Sequence, residues 1–382
     1  MTDITHHDHS TETGLALSGG GFRATLFHLG ALAALNDKGW LSRVAEFTSV
    51  SGGSIIAAFL AYRWRQLQFD QHGRATNFKD EIAVPIQEFC SRTSDIGSIA
   101  KGWLNPLKRP SEYLAERYDE DLFKGATLQD LPGEDMGPRF TIYATNLQTG
   151  VSVRMSRAYL ADYKLGMFDS PTVPLAVAVA ASSAFPPIFV PVVLKLDPSK
   201  WRNVQGSHLF DRVDMRSTLL LGDGGIYDNM GLERIWDSFG MVLVSDAGAP
   251  LDSEDSSFWL KISEIARAMR TLDIAIEQSR ALRKRKLIDD FKSRAKAGTY
   301  WGITTKIADY GLETAGRVRA IIVDSTVTAG LARMRTRLNS FSPEEQGRLI
   351  NWGYALADAA MRRHVLDANS TPGQLPFPEY SL

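Results

Sequence analysis

The sequence predicts an α/β protein, because short runs of strand formers alternate with helix-length apolar segments and three glycine-rich turns each follow an apolar run. Those turns are Ser18-Gly-Gly-Gly-Phe-Arg23, Ser49-Val-Ser-Gly-Gly53 and Gly222-Asp-Gly-Gly225. Turns placed at strand ends are where α/β proteins build their sites, so each is taken in chain order.

Gly14-Leu-Ala-Leu-Ser18 reads as a strand, and Phe22 to Leu35 has the length and apolar content of a helix that starts straight after the glycines. N–H groups at a helix start have no intrahelical acceptor, and without Cβ atoms an oxyanion can approach them closely. Acyl transfer needs such donors, each contributing roughly 3 kcal/mol where the carbonyl oxygen becomes negative. Gly20 and Gly21 are the expected donors. The cationic fork of Arg23 is expected to hold a phosphate or help bind the oxyanion, the plainer alternative being a surface salt bridge. Gly19-x-Gly21-x-x-Ala24 also fits a dinucleotide fingerprint, but the second strand then ends in Ser-Val-Ser-Gly-Gly instead of an acidic residue. A P-loop is excluded because no Gly-Lys-Ser/Thr follows.

The second turn carries the candidate nucleophile. Phe47 to Val50 is a short strand signal, and Ile-Ile-Ala-Ala-Phe-Leu-Ala-Tyr-Arg-Trp from Ile55 suits a buried helix. Ser51 would stand at the apex between them, where a sharp turn exposes one hydroxyl and small neighbours relieve crowding. The usual pattern is Gly-x-Ser-x-Gly; here Ser49 adds a Cβ at the first small position. A Ser-Gly turn that only caps a helix is the competing explanation.

In the third turn, Thr218-Leu-Leu-Leu221 reads as a buried strand, followed by the helix-like Leu232-Glu-Arg-Ile-Trp236. Asp223, flanked by glycines at the strand end, is the candidate general base, against the alternative of an ordinary Asp-Gly turn. Asp228 and Asn229 are expected to order the loop that follows. Among the histidines, His28 reads as a packing residue on the first helix, and only His208 is placed to act as a third catalytic member.

Together the three turns describe a serine hydrolase, and they resemble the patatin-like phospholipases and the related cytosolic phospholipases A. Tyr143-Ala-Thr-Asn146 and Ala181-Ser-Ser-Ala-Phe-Pro-Pro-Ile-Phe189 look like further blocks of that family. The resemblance runs from about Gly14 to about Asp246 and implies a three-layer α/β/α fold with a mainly parallel central sheet. It implies a Ser-Asp dyad at Ser51 and Asp223, an oxyanion loop at Gly19, Gly20 and Gly21 completed by Gly52, and contact of Arg23 with the oxyanion or a lipid phosphate. The implied activity is cleavage of glycerolipid acyl esters, of phospholipase A or lysophospholipase type. A lipid transacylase using the same acyl-serine and a non-catalytic lipid-binding scaffold are the alternatives.

The remaining map alternates similarly. Arg139 to Thr145 and Val151 to Met155 read as a hairpin, Pro174 to Ser182 as a helix, and Ile188 to Leu196 as a strand interrupted by Pro191. Met241-Val-Leu-Val244 and Ala320-Ile-Ile-Val323 are the clearest later strands, and Glu344 to His364 reads as a terminal helix. Trp201 to Ser217 is expected as an inserted loop. Trp259 to Lys296 reads as a long amphipathic helix ending in Arg283-Lys-Arg-Lys286, either leaning on anionic lipid or, as its interrupting acids favour, packing on the core. Trp103-Leu-Asn-Pro-Leu107 is a second candidate lipid-facing element.

The chain has 382 residues, 44% of them hydrophobic, enough for one large core. One catalytic domain, 14–365, is expected between a flexible polar leader, 1–13, and a tail, 366–382. A net charge of −1 argues against a general nucleic-acid binder. No His/Cys cluster has metal-ligand spacing and no cofactor is expected. The expected partners are a phospholipid or other acyl-lipid and, transiently, a membrane surface. A leader without a secretory pattern, no apolar run of ~20 residues and a single cysteine, Cys90, predict cytoplasmic residence.

Overall fold

The computed structural model describes residues 9–92, 108–187, 189, 191–248, 251, 263–336 and 338–382. Their order is β1 (His9–Leu17), α1 (Gly21–Asp37), β2 (Val44–Val50), α2 (Gly52–Arg63), α3 (Val84–Ser91), α4 (Pro110–Tyr118), β3 (Arg139–Asn146), β4 (Val151–Met155), β5 (Tyr159–Asp162) and β6 (Gly166–Asp169). There follow α5 (Leu175–Ser182), β7 (Val192–Lys195), β8 (Trp201–Arg202), α6 (Val213–Ser217), β9 (Thr218–Asp223), α7 (Gly225–Asp228), α8 (Glu233–Trp236), β10 (Phe239–Asp246), α9 (Glu264–Lys292), β11 (Ala297–Gly302), α10 (Thr326–Leu331) and α11 (Pro343–His364).

All the strands join one sheet whose centre, β11-β10-β1-β2-β3, is parallel and continues through β4, β5, β6 and β8 as an antiparallel meander. Parallel strands are covered on both faces, which is why β2 is buried at nearly every position and the middle of β10, Met241 to Val244, is an unbroken apolar run. Alternate residues serve opposite layers. Leu15, Leu17, Leu243 and Trp301 pack with α1, α2 and α11, whereas Ala16, Val242, Val244 and Tyr300 pack beneath Ile235 and Leu287 of α8 and α9. This is the three-layer arrangement the resemblance implied.

The inner helix α1 is buried on nearly every side because it lies between the sheet and α11. The two helices cross closely: a Cβ at Gly30 would lie 1.9 Å from the Ile350 carbonyl oxygen, and one at Gly353 1.9 Å from that of Phe27. A capping box between Ser342 and Glu345, with Pro343 behind the cap, starts α11.

One topological feature positions everything that follows. Along one edge of β3, Glu46–Val50 of β2 pairs in parallel with Arg139–Tyr143. From Ala144 onward the same edge is taken by β9, arriving antiparallel, with Asp223 opposite Ala144. Two strands thus run toward each other along β3 and end head to head, Val50 and Asp223 facing consecutive residues.

Several expected boundaries differ. β1 begins at His9, inside the segment read as a polar leader, because β10 offers it a partner from Phe239 onward. Ala320-Ile-Ile-Val323 is not a strand: Ile321 and Ile322 pack partly against the core while Val323 is 80% exposed, and among the described residues no strand pairs with it. The segment from Trp201 to Ser217 carries β8 and α6, and residues 366–382 return across α11. There Asn351 Nδ2 donates to the carbonyls of Phe377 at 2.7 Å and Tyr380 at 3.0 Å. Trp103 to Leu107 lies outside the described residues. The basic run on α9 is largely answered within the protein: Arg283 lies 3.6 Å from Asp228, Lys286 3.0 Å from Asp290, and Lys284 over the Tyr300 ring. Its C-terminal half is anchored by a buried pair, Arg280 Nη1 to Asp246 Oδ2 at 2.6 Å. Among the described residues no helix is long and apolar enough to cross a membrane.

Candidate active site

The end of β2 delivers Ser51 in a backbone conformation that side chains rarely adopt, φ 51 and ψ −120, immediately before α2 begins at Gly52. Such a residue costs about 1–3 kcal/mol, which the surrounding structure must supply. The reward is placement: the side chain stands off the end of the sheet beside Asp223, which β9 brings in from the opposite direction.

Asp223 is 4% exposed. Burial disfavours its charged form and pushes the carboxyl up from 3.8 to about 7, opposed by hydrogen bonding from the Gly225 N–H and the Ser51 side chain. Gly225 donates to Oδ1 at 2.7 Å. The main chain of Asp223 is held on two sides, donating to the Ala184 carbonyl at 3.0 Å and accepting from Thr145 Oγ1 at 2.8 Å. Thr145 belongs to the Tyr143-Ala-Thr-Asn146 block, whose contribution is therefore to fix Asp223.

The glycine loop lies directly on the elbow. A Cβ at Gly52 would fall 2.1 Å from the Gly21 carbonyl oxygen, and one at Gly19 would fall 3.3 Å from Ser51 Cβ. Thr25 Oγ1 donates to the Gly52 carbonyl at 2.8 Å and ties the first turns of α1 and α2 together. Two helix N-termini, both carrying partial positive charge, converge beside the hydroxyl. Among the described residues the N–H groups of Gly20, Gly21 and Gly52 have no protein acceptor. Gly20 also needs its missing side chain, standing at φ 143.

Gly19 differs from the expectation for a donor: its N–H is already given to the Asn229 carbonyl at 3.0 Å, so its place in the loop is one of close approach. Arg23 is a larger correction. Its side chain is buried, with Nη1 donating to the carbonyls of Ala332 at 3.1 Å and Met334 at 2.8 Å and Nη2 to that of Ala247 at 2.7 Å. Burial lowers it to about 10, with the Asp246 charge working the other way. Both terminal nitrogens of the fork thus donate to main-chain carbonyls, which ties the first turn of α1 to those two segments. Asp228 orders the next loop as expected, its carboxylate accepting from the N–H groups of Met230, Leu232 and Glu233 at the start of α8.

No histidine completes a triad among the described residues. His208 is exposed, with Nδ1 3.2 Å from the carbonyl of Gly206 in its own loop. His28 is buried and pushed down to about 4 by desolvation. Trp301 Nε1 donates to Ser245 Oγ at 2.9 Å, Ser245 donates to His28 Nδ1 at 2.7 Å, and His28 Nε2 donates to the Ser18 carbonyl at 2.9 Å. That neutral histidine supports the start of the glycine loop.

Residues not assigned from the sequence also converge. The Ser51 N–H donates to Ser182 Oγ at 2.9 Å; Ser182 and Ser54 hydroxyls lie 2.9 Å apart; Ser54 donates to Ser49 Oγ at 3.0 Å, and Ser49 reaches the Thr141 carbonyl at 3.5 Å. The sequence signals for Ser182 are its place in the Ala181-Ser-Ser-Ala block and its position as a polar residue ending an otherwise apolar helix.

Residues 15–236 match the family model of the patatin-like phospholipases. Among solved structures, the chain is similar to human GIVD cytosolic phospholipase A2 in complex with methyl gamma-linolenyl fluorophosphonate. That match has 13% identity and a TM-score of 0.50, and covers 93% of this chain and 58% of that one. A second structure of human GIVD cytosolic phospholipase A2 aligns at 11% identity and a TM-score of 0.49, over 92% of this chain and 61% of that one. VipD from Legionella pneumophila aligns at 16% identity and a TM-score of 0.36, over 92% of this chain and 66% of that one. At such identity the first likeness is one of fold, and the chain spans 58% of that structure's length. No curated protein matches the sequence significantly.

Proposed function

The chain belongs to the patatin-like phospholipase family, and from that premise we propose that it is a lipid acyl hydrolase working through a Ser51–Asp223 dyad. The observation that carries this reading is the meeting of β2 and β9 on one edge of β3, which sets a strained serine beside a buried carboxyl.

The Ser51 hydroxyl attacks the ester carbonyl carbon while its proton passes to Asp223. A carboxylate at its ordinary pKa of ~4 is a poor base, whereas one lifted to about 7 is matched to neutral pH. Negative charge gathers on the former carbonyl oxygen, where the N–H groups of Gly20, Gly21 and Gly52 and two helix N-termini are arranged to receive it. The C–O bond to the alcohol breaks, the leaving oxygen takes the proton from Asp223, and an acyl-serine remains. Water then attacks that ester, giving its proton to Asp223; the bond to Ser51 breaks, the fatty acid leaves and the hydroxyl is restored. The proposed substrate is a glycerolipid taken from a membrane surface during transient contact.

The test is product analysis by mass spectrometry on mixed phospholipid vesicles, with an added alcohol acceptor, for the parent, Ser51→Ala and Asp223→Asn. Release of free fatty acid by the parent alone supports hydrolysis; acyl transfer to the alcohol as the main product makes it a transacylase. Near-normal turnover in Ser51→Ala ends the proposal.

A further inference from the structure

The Ala181-Ser-Ser-Ala block has no part in the chemistry above, yet Ser182 touches both halves of the dyad. Its Oγ accepts the Ser51 N–H at 2.9 Å, and its carbonyl accepts the Gly224 N–H at 3.2 Å, one residue beyond Asp223. One residue at the end of α5 is therefore bonded to the nucleophile's own amide on one side and to the base's loop on the other.

The hydroxyl is fully buried, and its proton has one place to go. Ser54 lies 2.9 Å away and donates in turn to Ser49 at 3.0 Å, which faces the Thr141 carbonyl at 3.5 Å. Each hydroxyl has a single proton, so the bonds point one way: Ser51 N–H to Ser182, Ser182 to Ser54, Ser54 to Ser49, Ser49 to Thr141. A chain oriented in this manner leaves Ser182 Oγ lone pairs turned toward Ser51. A positive-φ residue persists only where its surroundings hold it, and the Ser182 acceptor holds the amide side of Ser51 while the Ser54 and Ile55 N–H groups hold its carbonyl.

We propose that Ser182 is the positioning residue that sets the Ser51–Asp223 geometry, oriented by a one-way hydroxyl chain through Ser54 and Ser49. This rests on the dyad reading above and explains why the elbow carries Ser49 where a glycine is usual: its hydroxyl ends the chain.

The test uses the full-length protein, a soluble activated ester (4-nitrophenyl butyrate) and the rate of labelling by a fluorophosphonate probe. Ser182→Ala is expected to lose about 30-fold or more in kcat with KM changed less than threefold, and labelling should slow in parallel. Ser54→Ala is expected to lose several-fold in kcat only, and the double variant should be no slower than Ser182→Ala, because Ser54 acts through Ser182. Wild-type kcat in either single variant, or additive losses in the double, overturns the proposal. If Ser182→Ala does not fold, the kcat-only loss in Ser54→Ala and near-normal turnover in Ser182→Thr, which keeps an oxygen, decide it. Ser51→Ala run alongside separates the two failures: turnover surviving there sinks the dyad itself, whereas its loss beside an unaffected Ser182→Ala sinks only the positioning role.

Discussion

At the residue scale, the site depends on a carboxyl whose proton affinity has been moved by its surroundings. In the proposed dyad Asp223 must be ionised to accept the Ser51 proton, and burial brings that titration to about 7. The kcat/KM for a soluble ester is therefore expected to rise tenfold per pH unit below about 7 and to level off above it. An ascending limb near pH 4 would remove Asp223 as the base. Space is the second residue-scale constraint. A methyl on Gly52 would press on the Gly21 carbonyl at 2.1 Å, a main-chain atom that can retreat only by moving the loop. Gly52→Ala should lose about 100-fold in kcat and about 2–3 kcal/mol of stability, read by ester turnover and urea unfolding. Ser51 and Asp223 were legible in the sequence because each occupies a local signal, an apex between strand and helix or a glycine-flanked strand end. The use made of Arg23 and Gly19 was not, because their partners, Ala247, Ala332, Met334 and Asn229, are reached only once the chain has folded.

At the scale of elements, the apolar runs disclosed which segments are strands and helices, but not their neighbours. Nothing in Thr218 to Leu221 says that β9 will continue the edge of β3 vacated by β2, although that pairing creates the site. Ala320 to Val323 has the composition of a strand and remains irregular for the same reason: β-structure needs a partner, and among the described residues no strand pairs with it. Arg23 shows how one side chain binds separate elements, fastening α1 to the end of β10 and to the segment after α10. Lysine lacks the planar fork to satisfy three carbonyls, so Arg23→Lys should cost about 2–4 kcal/mol of stability, measured by urea unfolding. The ratio of turnover on phosphatidylcholine to that on an uncharged glyceride should stay unchanged. A selective loss on the phospholipid would restore Arg23 as a phosphate ligand.

For the whole molecule, two buried groups give stability opposite pH dependences. Between 3.8 and about 7, native Asp223 holds a proton that the unfolded chain has released, so its contribution is full below 3.8 and fades as pH rises through about 7. That span corresponds to about 4 kcal/mol. His28, pushed from 6.5 down to about 4, works the other way: the unfolded chain binds a proton that the native state refuses, and stability falls as pH drops from 6.5 toward about 4. Its span corresponds to about 3 kcal/mol. Over the shared window the two slopes nearly cancel, so the parent hides both. Asp223→Asn removes one and exposes the other. In urea unfolding, the variant should gain on the parent by about 4 kcal/mol between pH 4 and pH 8, with the gain confined to the range below about 7.5. The variant's own stability should climb with pH from about 4 to 6.5 as His28 alone dictates. A difference that does not change with pH would mean that the folded protein does not hold Asp223 protonated, and the base would then lack the basicity that the dyad requires.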